Sequence, residues 1–168
     1  DQLAATGHAS KEQGVRAFDI DAVAQLGARA LRYPILWEHV APLHPDVCDW
    51  SRSDTGVEQA RAHGIDVIAG LVHHGSGPHY TNLLDPFFGE KLAAFAAKVA
   101  SRYPWITHWT PVNEPLTTAR FSCLYGIWYP HTHNEGALWR ALLNEIDATR
   151  LAMKEIRAVN PKARLVQT

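Results

Sequence analysis

Four times along the chain a segment with helical spacing runs through a short turn into a continuous apolar stretch, and that repeated grammar narrows the fold more than any single residue does. The first unit pairs residues 18–26, "FDIDAVAQL", with residues 28–36, "ARALRYPIL". The second pairs residues 51–64, closing on Gly64, with residues 65–74, "IDVIAGLVHH". In the third, Leu92, Phe95, Ala96 and Val99 mark one helical face ahead of the strand "ITHWTPVN", residues 106–113. The fourth is a long helix over residues 135–159, with Leu138, Leu142, Ile146, Leu151 and Ile156 as its apolar stripe, followed by "ARLVQT", residues 163–168. Helices alternating with unbroken apolar strands predict an α/β fold with about four parallel strands covered by helices.

A parallel sheet of this kind carries its chemistry just past the carboxyl ends of its strands. There the sequence places "RYPILWEH", "HHGSGPH" and "NEP", with Glu114 in the last. The long segments 38–50, 75–86 and 115–134 all follow strands and read as site-forming loops. Neither a dinucleotide-binding nor a P-loop glycine pattern occurs, which argues against a nucleotide fold.

Charge narrows the partner. Sixteen Lys and Arg stand against 17 Asp and Glu, so no basic stripe points to nucleic acid or to an anionic membrane. A small neutral molecule fits better. Two cysteines, Cys48 and Cys123, are too few for a disulfide scaffold, and whether they meet is open. No apolar run is long enough to span a bilayer, and "DQLAATGHAS" lacks the pattern of a signal peptide. The expectation is a cytoplasmic protein, with the abrupt start leaving open whether Asp1 is a native N-terminus.

Taken in order, "LRYPILWEHVAP", "GLVHHGSGP", "RYPWITHWTPVNEP" and "LYGIWYPH" resemble the first half of family 1 glycoside hydrolases. The resemblance is closest to the divergent family-1-like domain joined to sugar-nucleotide reductase domains. It implies a partial (β/α)8 barrel, residues 1–168 forming a single half-barrel domain that holds strands two to five. It also implies hydrolysis of β-glucosides or β-galactosides, with Glu114 as general acid/base and no cofactor or metal. Arg32, Trp37 and Glu38 of the second-strand motif, His73 and His74 of the third, and Asn113 beside the acid would contact the substrate, a small carbohydrate or aryl glycoside. Trp109, Trp128 and Tyr129 offer further flat faces for a sugar ring.

The departures from that family bear on activity. A whole barrel needs ~250 residues; this chain stops at the fifth strand and lacks the second catalytic carboxylate of the seventh. A retaining mechanism places that carboxylate about 5 Å from the first, and Glu38, Asp85 or a residue of another subunit are the candidates. An open half-barrel also exposes two sheet edges, so a homo-oligomer, most simply a dimer covering the open half, is expected. Two other readings stand beside the hydrolase. One is a non-catalytic sugar-binding or assembly fragment. The other is a zinc-dependent hydrolase built on His73, His74, His79, His131 and His133.

Overall fold

The computed structural model describes residues 17–168, so the reading of the first ten residues lies outside the described part. Its sheet holds β1 (Ala30–Pro34), β2 (Asp66–His73), β3 (His108–Asn113) and β4 (Arg164–Leu165), all parallel and in chain order. Helix α1 (Ala17–Gln25) precedes β1, α2 (Trp37–Val40) follows it, and α3 (Ser51–Ala62) leads to β2. Helix α4 (Phe88–Arg102) leads to β3, α5 (Pro115–Ala119) starts directly behind it, and α6 (Glu135–Val159) leads to β4. The order of elements is the predicted one. Gly27 and Gly64 close α1 and α3 with φ of 77° and 68°, the left-handed turn that lets a helix reverse into a strand.

Two of the predicted loops begin as helix. Segment 38–50 opens inside α2, and segment 115–134 opens with α5, which passes into a π-helical turn, Arg120–Leu124. Pro115 explains the second case: its missing N–H costs nothing at the first helical position, and its fixed φ starts the turn. The fourth strand is shorter than the expected 163–168. Only two residues make ladder pairs with β3, although Val166 N–H still donates to Trp109 O and Gln167 Nε2 to Val112 O.

Alternation along the strands divides the sheet into two faces. Tyr33, Ala69 and Trp109 stand side by side in the register and are at most 1% exposed, under the helices. Arg32, Ile68 and His108 form the neighbouring row on the other face. Trp37 sits in the helical layer, 1% exposed, stacked on Phe95 with ring centroids 5.9 Å apart and tilted against Phe88 at the same distance. Its Nε1–H donates to Tyr80 Oη at 2.9 Å.

The expected apolar face of α4 is buried, but the inner face of α6 differs from the expected stripe. Ile156 is buried as expected, but Ile146 is 51% exposed, and the seam is otherwise filled by Glu145, Met153 and the small residues Ala141, Ala148 and Ala152. Close approach of α4 selects these small residues. A Cβ added at Gly89 of α4 would lie 3.4 Å from Ala148 N and 3.2 Å from Leu151 Cδ1, a spacing that leucines at every core position of α6 would prevent.

Within that seam lies Glu145, fully buried, with neither carboxyl oxygen hydrogen-bonded among the described residues. Burial pushes its pKa well above the ordinary carboxylate range. At low pH the acid is protonated folded or unfolded. As pH rises past about 4.3, the unfolded chain ionises first and stability falls until the buried acid itself titrates. Glu145→Leu is therefore expected to stabilise the fold by ~1–3 kcal/mol at neutral pH, less at pH 4. Denaturant melts at both pH values check this; a variant no more stable than the parent at neutral pH would refute it.

Candidate active site

Register carries the site residues to one end of the sheet. His73 and Asn113 are lateral neighbours at the ends of β2 and β3, and Glu114 is the next residue along. A cleft of about 250 Å³ opens on the face away from the helices, lined by Arg32, Leu36, Gly70, Val72, His73 and Asn113. Glu114 leaves the strand with φ 44° and ψ 66°, and His74 with φ 54°. Left-handed backbone in residues with a Cβ costs energy and survives where the surroundings hold it. Here it falls at the two residues that directly follow β2 and β3.

The two imidazoles lie with ring centroids 4.5 Å apart. Burial lowers the pKa of both. For His73 the charge of His74 acts in the same direction, with Arg32 behind it, while the Glu114 carboxylate pulls the other way. For His74 the opposing pull of Glu114 ranks next after burial, then Arg32. Both rings are therefore neutral at pH 7. The electrostatic coupling places Glu114, both histidines and Arg32 in one field. Among the described residues no side chain hydrogen-bonds the Glu114 carboxylate, and no ion pair joins it to Arg32. Arg32 is exposed on the open face.

Asn113 is 2% exposed and its amide is held within the chain: Nδ2 lies 3.2 Å from His74 Nε2, and Oδ1 accepts from Thr168 Oγ1 at 3.2 Å. His74 also reaches Thr118 Oγ1 at 3.2 Å and rests against Trp128, centroids 5.1 Å apart. Trp128 in turn stacks on Phe121 of the π-helical turn at 4.9 Å. Thr118, Thr168 and Phe121 escape a reading of the sequence. Thr118 carries one usable signal, since it lies one turn after Glu114 on a helix whose start Pro115 announces.

Other expectations need correction. Trp37 and Trp109 are core residues, the latter fully buried with Nε1–H donating to Ile106 O, and neither presents a face to the cleft. Their aromatic area was needed where helices meet sheet. Glu38 is 4% exposed, in the first turn of α2, and its charge is felt at His73. Asp85 is held by Lys91 Nζ at 2.6 Å, by Thr81 Oγ1 and by Phe87 N–H, a structural set of partners that removes it as the second carboxylate. His131 caps Gly126 O rather than meeting the other histidines, and among the described residues no three of His, Cys, Asp or Glu are grouped to hold a metal ion. Cys48 and Cys123 are both free thiols. No helix among the described residues is long and apolar enough to cross a membrane.

Parallel strands, covering helices and a carboxylate past the third strand end define this structure as half of a (β/α)8 barrel. Its sequence matches no family model and no curated protein. Its fold, however, is shared with family 1 β-glucosidase from Thermotoga maritima, with a TM-score of 0.77 and 18% identity, covering 90% of this chain and 35% of that one. The same enzyme in complex with cyclophellitol gives a TM-score of 0.79, 18% identity and coverages of 89% and 36%. The AHE enzyme from Alicyclobacillus herbarius gives 0.80, 20%, 89% and 35%. The chain thus spans about a third of the length of these solved structures, and at such identity the likeness is one of fold.

Proposed function

We propose that the chain is a glycoside hydrolase-like half-barrel, a single domain over residues 1–168, that acts on β-glucosidic or β-galactosidic bonds with Glu114 as general acid/base. One observation carries the reading: Glu114 stands at a strand end in left-handed backbone beside two neutral imidazoles, on a fold shared with β-glucosidases. A glycosidic oxygen is a poor leaving group and must receive a proton as charge grows on the sugar ring. A partly buried carboxyl, one residue beyond the cleft-lining Asn113, is placed for that transfer. Arg32 and His73 line the cleft where a small carbohydrate or aryl glycoside would sit. The finer resemblance makes a sugar-nucleotide reductase the domain to look for beside it.

The test is nitrophenol release from aryl β-glucosides and β-galactosides by the chain and by Glu114→Gln. Turnover lost in the variant and insensitive to chelators supports the assignment; equal turnover in both, or none in either, overturns it. The second reading, a sugar-binding or assembly fragment, is favoured by the internal engagement of the Asn113 amide and by Asp85 being tied to Lys91.

The second carboxylate and the open edge point to one partner, a second copy of the chain. Beside β4 an apolar groove of about 450 Å³ is lined by Pro115, Ile146, Met153 and Leu165, and Leu116 is 47% exposed next to it. Apolar surface of this kind beside an edge strand is normally covered. The expected mass by light scattering at micromolar concentration is that of two chains, falling to one in Ile146→Glu; a single-chain mass for the parent would sink the dimer.

A further inference from the structure

The hydrogen bonds around Asn113 have only one consistent direction. Thr118 Oγ1 lies 3.2 Å from Asn113 O and 3.2 Å from His74 Nδ1. A carbonyl cannot donate, so the single hydroxyl proton of Thr118 goes to Asn113 O, and Thr118 must accept from His74 Nδ1–H. A neutral imidazole protonated at Nδ1 is an acceptor at Nε2, so Asn113 must turn its NH₂ toward His74. Its carbonyl oxygen then faces Thr168, whose hydroxyl donates to it and whose oxygen accepts Glu114 N–H at 3.1 Å. The path thus starts on the N–H of Glu114 and ends on the C=O of Asn113, and these belong to the same peptide group.

We infer that Thr168, His74 and Thr118 form a one-way hydrogen-bond ring that clamps the Asn113–Glu114 peptide, making Thr168 and His74 positioning residues for Glu114. Each link is a modest hydrogen bond, but aligned donors and acceptors polarise one another, and Asn113 and Thr118 are shielded from competing water at 2% and 0% exposure. Because the peptide plane before Glu114 sets its φ, the ring holds the left-handed turn that aims the carboxylate. It also assigns the Asn113 amide to the chain itself, so that sugar contacts fall to His73 and Arg32. Thr168 lies three residues past the edge strand β4, which makes the aim of Glu114 depend on that segment staying docked. The positioning role rests on the acid/base reading of Glu114; the ring does not.

The histidine side-chain ¹⁵N spectrum tests it. The His74 signals are identified by their loss in His74→Gln. The charged and titratable groups facing His74 are His73, Glu114 and Arg32, none of which the tests alter. In the parent at pH 7, His74 is expected in the Nδ1–H form. In Thr168→Val the ratio of the two tautomers should fall about fivefold, the effect of one lost hydrogen bond, and Thr168→Ser should restore it. A parent ring protonated at Nε2, or a ratio unchanged in a folded Thr168→Val, overturns the ring; the parent spectrum decides its direction even where the valine variant fails to fold. If aryl glycosides are turned over, Thr168→Val should lower kcat with little change in KM. Absence of turnover would fail the acid/base reading and leave the tautomer result intact.

Discussion

Glu114→Gln is expected to reduce the turnover of aryl β-glycosides by ~10²–10⁴-fold, the range that a positioned general acid contributes. The substitution keeps the length and polarity of the side chain and replaces its titrating acid with an amide that cannot transfer a proton. A carboxylic acid matters in proportion to how poor the leaving group is. The deficit should therefore be large for alkyl or unsubstituted phenyl glycosides and small for dinitrophenyl glycosides, whose phenolate departs unaided. A series of leaving groups measured on both proteins gives the slope. A deficit that is the same for every leaving group would mean that Glu114 holds the turn rather than supplying a proton. The distinction is needed because Glu114 also serves the structure: its carbonyl accepts Thr118 N–H at 2.9 Å and its N–H donates to Thr168.

How far these features were legible in the sequence depends on the range of the interactions that fix them. Element order was legible because each helix and strand announces itself locally, through the spacing of Leu92, Phe95, Ala96 and Val99 or through glycines at helix ends. The clustering of His73, His74, Asn113 and Glu114 followed from parallel strands, since all four stand at strand ends. What remained hidden was decided by contacts between distant segments. The inner face of α6 was misread because a 3.6-residue pattern of Leu and Ile competes there with a weaker one of Ala141, Ala148 and Ala152. The close packing of α4 selects the weaker one. The hydrogen-bond ring joins residues 74, 113, 118 and 168, and a threonine beyond an edge strand carries no local mark of such a role. Segment 115–134 was read as a loop because its turn residues outweighed the helix start that Pro115 supplies.

Trp37 offers the sharpest contrast between the two readings of an aromatic residue at a strand end. A sugar platform would be dispensable for folding, and its loss would raise KM alone. In the structure the indole instead fills the space between Phe88, Phe95 and Tyr80 with 1% exposure, and Gly77 lies so near that an added Cβ would fall 3.1 Å from its ring. Trp37→Ala is therefore expected to cost ~3–5 kcal/mol through lost burial and the cavity left behind, a large part of the total stability of a domain this size. Trp37→Phe keeps most of the apolar volume but strands the Tyr80 hydroxyl that Nε1–H now meets at 2.9 Å, so an intermediate loss is expected. Denaturant titrations of the three proteins give the order. A Trp37→Ala variant as stable as the parent would place the indole at the surface and return it to the cleft. The ordered loss would assign the tryptophan to the wall it builds with Tyr80, Phe88 and Phe95 rather than to the cleft.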